Sequence, residues 1–157
     1  SGGAANSDPN ASLGGAKSST EITAASLHNL FDQVASAESS AGDVEYRCFY
    51  VHNAHATLAL QNAVIWVQTN TPASDTTVDI GLGASAVNGT EQTVANESTA
   101  PSGVTFSAPA TEGAALSIGN IPAGQHKAVW VRRTISAAAA ANNLDNVVLR
   151  VKGDTAA

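Results

Sequence analysis

The stretch of residues 44–69, VEYRCFYVHNAHATLALQNAVIWVQT, constrains the fold more than any other part of the chain. It holds four of the seven aromatic residues, and Tyr46, Cys48 and Tyr50 alternate with side chains expected on the opposite face. Such alternation, rich in aromatic and β-branched residues, is typical of a β-strand. A polar segment at residues 52–57 ends this strand, and the apolar run LALQNAVIWVQT follows it. We therefore predict two strands joined by a short polar turn, and we expect them to form the central pair of a two-layer structure.

Shorter strand patterns follow this stretch at intervals of about twelve residues. The predicted strands are TTVDIGL (76–82), one short edge strand within 83–103, GVTFS (103–107), ALSIGNI (115–121), HKAVWVRRTI (126–135) and NVVLRVKGD (146–154). The alanine-rich residues 136–143 and the glycines of GLGASAVNG are predicted to form loops and turns. Glycine and proline punctuation without long helical patterns favours an all-β fold, an antiparallel β-sandwich. An Ig-like sandwich is the first prediction, and a jelly roll is the second.

The N-terminal region has too few apolar residues to build a core of its own. Of the 37 hydrophobic residues larger than alanine, 31 lie between residues 44 and 151. We therefore predict an extended arm at residues 1–26 and a sandwich domain at residues 27–157. An arm rich in glycine and serine becomes ordered only against another surface, either its own domain or a neighbouring subunit. The predicted interface residues are Leu13, Ile22, Leu27 and Phe31.

The segment after the arm has two interpretations. Leu27, Leu30, Phe31 and Val34 fit the spacing of one helix face, whereas LFDQV also fits a first edge strand. We favour a strand or a single helical turn, because the flanking serine, alanine and glycine residues do not support a longer helix.

The charge pattern argues against nucleic-acid and membrane partners. The chain has 7 basic and 13 acidic residues, a net charge of −6. A protein that binds phosphates needs clustered basic residues, and here only Arg132 and Arg133 are adjacent. No run of about 18 apolar residues is present, and no signal peptide opens the chain, so we expect neither membrane insertion nor secretion.

Metal and thiol chemistry is not predicted. Cys48, His52 and His55 have a C-x3-H-x2-H spacing, but structural zinc needs four convergent ligands and these three residues span the end of a strand. We interpret Cys48 as a small buried apolar residue and the two histidines as polar turn residues.

No catalytic or cofactor-binding pattern is present in the sequence. The chain has no G-x-S-x-G motif, and GLGASAVNG lacks the spacing of a dinucleotide loop. The carboxylate pairs Asp75 with Asp79 and Asp43 with Glu45 are expected to be solvated at strand ends. We therefore predict no enzyme and no cofactor. Two tryptophans, at positions 66 and 130, are predicted to be core residues that face each other across the sandwich.

Several segments resemble known structural proteins. YRCFYVHNAHATLALQNAVIWV and IGNIPAGQHKAVWVRRTI are similar to strand and corner segments of Ig-like modules. Together, NLFDQV, AGDVEYRCFYVHN, DTTVDIGLG, IPAGQHKAVWVRR and NVVLRVKGD resemble virion structural proteins of tailed bacteriophages, over residues 29–154.

This resemblance implies a capsid decoration or cement protein at the surface of a virion. Such a protein binds the shell of major capsid protein from outside and reinforces it, often as a homotrimer. No residue roles follow from the resemblance. A phage tail or fibre-associated protein, and a bacterial surface adhesion module of Ig-like fold, are the alternatives.

Overall fold

The computed structural model describes residues 5–143 and 145–155. Residues 1–4 of the predicted arm, and residues 144, 156 and 157 of the predicted domain, lie outside the described residues. The described part contains one α-helix, α1 (Ser36–Ala41), and one 3-10 turn at Glu112–Ala114. Its strands are β1 Gly14–Gly15, β2 Asp43–His52, β3 Leu60–Thr69, β4 Thr76–Leu82, β5 Glu91–Thr93, β6 Leu116–Ile121, β7 His126–Ile135 and β8 Val148–Asp154.

Two three-stranded sheets form the body of the protein. The β7 sheet has the strand order β2-β7-β4, and the β3 sheet has the order β6-β3-β8. A small third sheet pairs β1 with β5. All of these pairings are antiparallel. The predicted antiparallel β-sandwich is therefore confirmed.

The main core lies between the two large sheets. Every second residue of β3, β4 and β7 points into it, because side chains alternate between the faces of a strand. Burying each of these aliphatic side chains contributes about 1.5–3 kcal/mol. The core residues are Leu30, Ala63, Ile65, Val67, Val78, Ile80, Ile118, Ile121, Val129 and Val131.

A second apolar cluster covers the outer face of the β7 sheet. Trp130 is fully buried at its centre, beside Cys48 and Ala128. The covering side chains come from the arm and from the segment after β5, and they include Leu13 and Val94. Because β7 is apolar on both faces, it forms the interior of the molecule, and its outer face needs a cover.

The two strands of residues 44–69 do not form a central pair. β2 is an edge strand that pairs with β7 from Asp43 opposite Ile135 to His52 opposite His126, whereas β3 is central in the other sheet. The chain crosses between the sheets after Asn53, whose side-chain amide donates to the carbonyls of Leu58 and Ile121, both at 2.9 Å. Alternation located both strands correctly, but it carries no information on their partners.

Two other predicted segments have a different structure. Residues 103–107 form no strand, and only Ser107 bridges to Ile80 at the edge of β4. Residues 27–34 form neither a helix nor a strand, and α1 begins after them. Leu30, Phe31, Val104 and Phe106 of these segments pack against sheets that are already hydrogen-bonded, so the segments need no regular structure. The predicted edge strand within 83–103 is β5, and residues 136–143 form a loop as predicted.

The two tryptophans are buried, as predicted, but they do not face each other. Trp130 points to the outer face of the β7 sheet. Trp66 lies between Ile65 and Val67, which point into the main core, so Trp66 is on the outer face of the β3 sheet. The space between the sheets is filled by aliphatic residues instead.

Candidate functional site

The arm lies along β2, on the chain's own domain. The Cys48 N–H donates to the carbonyl of Ser12 at 2.6 Å, and the Tyr50 hydroxyl donates to the carbonyl of Gly15. The Tyr46 N–H donates to the carbonyl of Glu97 at 2.7 Å. An edge strand with free N–H groups invites pairing with other chains. The arm and the segment around Glu97 therefore protect β2.

Gly14 allows this close approach. Its φ of +95° is one that glycine adopts readily, and an added Cβ would lie 1.9 Å from the Gln92 carbonyl oxygen. The same Cβ would lie 3.1 Å from the Trp130 ring. Only glycine fits this position of the arm.

We expect Gly14→Ala to undock the arm without unfolding the sandwich. The opening free energy at the Cys48 and Val94 amides, which donate to arm carbonyls, should fall by about 1–3 kcal/mol. Native-state hydrogen exchange measures this, with the amides of β7 as internal reference. Gly103→Ala is the matched control, because Gly103 also has a positive φ but an added Cβ would meet nothing within 4 Å. If the hydrogen-exchange rates of the Cys48 and Val94 amides were unchanged in the Gly14 variant, Gly14 would not be needed for docking of the arm.

The four predicted interface residues occupy different environments. Leu13 packs into the outer cluster beside Trp130, while Ile22 and Phe31 pack against the main core. Leu27 is 70% exposed. Of the four, Leu27 is therefore the side chain best placed to contact another molecule, and the interface itself stays a prediction.

Phe31 and Asp32 clamp the segment after the arm to the β7 sheet. The Phe31 ring centre lies 4.5 Å from the guanidinium carbon of Arg133 and 5.2 Å from that of Arg47. Arg47 donates to the Asp32 carboxylate at 2.9 Å, and Arg133 donates to the Asp32 carbonyl at 3.2 Å. One dipeptide is thus held by two strands through cation–π and ionic contacts.

The charges behind this clamp are buried. Arg47 is fully buried and also donates to Glu97 at 2.6 Å. Glu45 is 1% exposed and accepts hydrogen bonds from Arg133 through both carboxylate oxygens. The prediction that Glu45 is solvated is therefore wrong. Its position in phase with Phe49 and Val51 was the available signal, because these two residues face the main core.

Four carboxylates meet at this end of the β7 sheet. The oxygens of Glu38, Asp43, Glu45 and Glu97 lie within 4.8 Å of one another. Carboxylate oxygens are ligands for hard cations such as calcium. Here, however, Arg133 occupies both oxygens of Glu45, and Glu97 is bound to Arg47. We therefore assign this group to structural ion pairing and assign no metal.

A second buried carboxylate organises the turn after β4. Glu91 is 3% exposed and accepts from the Ser85 N–H at 2.9 Å and the Ala84 N–H at 3.3 Å. The ammonium group of Lys127 donates to the carbonyls of Gly83 and Ser85. Gly83 and Gly89 of GLGASAVNG lie outside strands, as predicted, whereas Gly81 is part of β4. The turn that follows β4 encloses this carboxylate.

The two buried carboxylates should affect the pH dependence of stability in opposite directions. Burial raises the pKa of Glu45 despite its Arg133 partner, so the free energy of unfolding falls as pH rises through that raised value. For Glu91, burial raises the pKa, but hydrogen bonds from Ser85 and Gln92 outweigh it and lower the pKa overall. Its stabilising effect is therefore present above the ordinary pKa and is lost as pH falls through the lowered value.

We expect Glu91→Gln to reduce the loss of stability in acid, and Glu45→Gln to gain stability relative to the wild type as pH rises. Denaturant unfolding measured from pH 3 to pH 8, a range of about five pH units around the ordinary carboxylate pKa values, gives the slope of the free energy of unfolding against pH for each variant. Each variant is the matched control for the other. Identical pH slopes in the two variants would refute the assignment.

Cys48, His52 and His55 do not form a site. The Cys48 thiol is buried, and burial together with the nearby Glu91 carboxylate raises its pKa to about 12. The His52 ring is exposed, with Nε2 3.3 Å from the Gly124 carbonyl oxygen. His55 Nδ1 accepts from the Thr57 and Leu58 N–H groups and stabilises its own turn. Cys48 is a buried residue and His55 lies in the polar connection between β2 and β3, as predicted, whereas His52 is not a turn residue but the last residue of β2, opposite His126.

Neither helix within residues 5–143 and 145–155 is long and apolar enough to cross a membrane. The candidate site consists of a docked arm, buried ion pairs and a covered edge strand. Comparison of the chain with protein-family models, with curated protein sequences and with solved structures gave no match.

Proposed function

We propose that this protein is a structural component of a tailed-bacteriophage virion, a decoration or cement protein without enzymatic activity. It binds the outer surface of the capsid, and its partner is the major capsid protein. It acts as a homo-oligomer, with a trimer favoured. The support comes from the resemblance of five sequence segments and from the β-sandwich that these segments build.

The observation that carries the proposal is the structural role of the resembling segments. NLFDQV holds the Phe31–Asp32 clamp, and AGDVEYRCFYVHN forms β2 with its protected edge. DTTVDIGLG forms β4, IPAGQHKAVWVRR leads into β7, and NVVLRVKGD forms β8. The resemblance therefore lies in residues that hold the sandwich together. This distribution favours a protein whose task is mechanical reinforcement.

The arm is the part of the molecule that we assign to capsid contact. Most of the apolar side chains of the arm are used within the chain, but Leu27, the first residue after the arm, is exposed. An exposed leucine on a segment held by a rigid clamp is preorganised for binding, because little further ordering is needed.

The test adds the purified protein to capsids that lack a decoration protein and measures co-sedimentation and the capsid melting temperature. We expect binding and a higher melting temperature. Leu27→Ala should weaken binding by about fivefold or more while leaving the free energy of unfolding within about 0.5 kcal/mol of the wild type. Leu58→Ala is the matched control, since Leu58 is another exposed leucine outside the predicted interface.

Failure to co-sediment with capsids would refute the decoration role. Binding to purified tails or fibres would instead move the protein to that part of the virion. Binding to a glycan array without binding to phage particles would favour the adhesion module.

A further inference from the structure

Strand β8 is an open edge of the β3 sheet. Within the described residues, its backbone pairs with β3 alone, and its other edge has no backbone partner. The closest approaches between the two large sheets join β3 and β6 to β4 and β7, so β8 lies at the side of the sandwich. As a result, Val148 is 42% exposed and Val151 is 38% exposed. Unlike β2, which the arm protects, β8 presents an unpaired edge with apolar side chains.

The charges on β8 have an unusual arrangement. Arg150 and Asp154 are exposed, and neither has an ion-pair partner in the described part of the chain. Lys152, between them, is paired with Glu112 at 2.6 Å. Even-numbered residues of a strand share one face, but Arg150 and Asp154 are separated by about 13 Å along it. These two charges therefore cannot pair with each other within one chain.

We propose that β8 pairs antiparallel with β8 of a second copy of this chain, about a twofold axis that passes through Lys152. In this register, Arg150 lies opposite Asp154 of the partner subunit, and the reverse pair follows by symmetry. Residues directly opposite each other have Cβ atoms about 4.5–5.5 Å apart, within reach of an ion pair. The β3 sheet of each copy has three strands, and the two β3 sheets together form one continuous six-stranded sheet.

The charges of β8 favour this register over the one with its axis at Val151. Val151 lies opposite Gly153 of the partner subunit, where the side chain of Leu60 covers the glycine. The axis places Lys152 opposite Lys152 of the partner subunit, but each of these ammonium groups is already paired with Glu112 of its own chain. Moving the axis by one residue, to Val151, places Arg150 opposite Lys152 of the partner subunit on both sides of the axis, so two like-charge pairs replace the two Arg150–Asp154 pairs. Charges on an edge strand normally prevent pairing because they stay uncompensated. Here the spacing of Arg150 and Asp154 allows these two side chains to pair with each other only when two copies meet.

The inference does not depend on the proposed virion function, because it rests on β8 alone. A twofold contact produces dimers, so a trimer would have to form through a different surface.

Cysteine cross-linking tests the position of the axis. In Lys152→Cys the two new thiols face each other, so a short bis-maleimide reagent should produce a covalent dimer in high yield. In Val148→Cys the two thiols would be about 26 Å apart, and this matched control should stay monomeric on a denaturing gel. The wild type serves as the second control because its one cysteine, Cys48, is buried. Equal cross-linking of the two variants, or none in Lys152→Cys, would overturn the proposal.

A charge exchange tests the ion pairs themselves. Sedimentation equilibrium should detect a dimer of the wild type, and we expect Arg150→Asp to raise its dissociation constant by about tenfold or more. The double variant Arg150→Asp with Asp154→Arg restores both pairs between copies and should restore the wild-type constant. Both side chains are exposed, so the fold should persist, and thermal unfolding verifies this. The proposal would be overturned if the wild type stayed monomeric up to about 1 mM. It would also be overturned if the double variant had a dimer dissociation constant as high as that of Arg150→Asp.

Discussion

Replacing Arg47 with alanine is expected to destabilise the protein by about 3 kcal/mol or more, because the substitution leaves two partly buried carboxylates without their cation and empties a fully buried site. Arg47 is fully buried and binds Asp32 at 2.9 Å and Glu97 at 2.6 Å. Its loss also removes one of the two guanidinium groups that hold the Phe31 ring. Urea unfolding at neutral pH measures the change in free energy.

Arg132→Ala is the matched control for this prediction. Arg132 lies on the neighbouring strand and binds Asp79 at 2.6 Å, but its side chain is 35% exposed, so its loss should cost about 1 kcal/mol or less. A rescue experiment isolates the cause. Adding Asp32→Asn and Glu97→Gln to Arg47→Ala should recover part of the lost stability, since the uncompensated charges are then absent. Equal effects of the two arginine substitutions would contradict the interpretation.

Replacing Trp130 with alanine is expected to cost about 3–5 kcal/mol and to release the arm. The indole is fully buried at the centre of the cluster that joins the outer face of β7 to Leu13 and Val94. Its removal leaves a cavity beneath the arm, so the arm should open more often than the rest of the molecule. Thermal or urea unfolding gives the global effect, and hydrogen exchange at the Cys48 and Val94 amides gives the local one.

Trp66→Ala distinguishes these two effects. Trp66 is 6% exposed and lies on the outer face of the other sheet, away from the arm. We expect a comparable global loss of stability, with no opening of the arm beyond that global change. If hydrogen exchange at the Cys48 and Val94 amides increased in the Trp66 variant by more than the global loss of stability explains, the arm would not be coupled specifically to Trp130.

The sequence was informative where a pattern is local. Val78, Ile80 and Leu82 predicted β4 with its correct bounds, and HKAVWVRRTI did the same for β7. In β4 apolar and polar side chains alternate, so the period can be read without knowing the partner strand. β7 is instead marked by a continuous apolar run that follows a Pro and Gly turn. Residues 103–107 showed the limit of this reasoning. Val104 and Phe106 are in phase because both cover the outer cluster, and they do so without strand pairing.

The candidate site was harder to predict because its members are distant in the sequence. The Phe31–Asp32 clamp needs Arg47 and Arg133, and the neighbouring carboxylates come from α1, β2 and the segment near Glu97. Arg47 and Glu45 are in phase with core residues of β2, which indicates burial but not which partners neutralise their charges. The arm gave an even weaker signal, since glycine and serine predict flexibility until a groove fits them.

The sequence by itself located the longer strands β2, β3, β4, β6, β7 and β8 and indicated that two apolar layers must be packed together. Those properties follow from side chains a few residues apart. The tertiary structure decided that β2 and β3 belong to different sheets, that the arm covers Trp130, and that β8 is left with an open edge. The physical reason is that strand pairing and ion pairing depend on residues far apart in the chain. Asp43 lies opposite Ile135, and Arg133 neutralises Glu45, so both partners must be in place before either interaction exists.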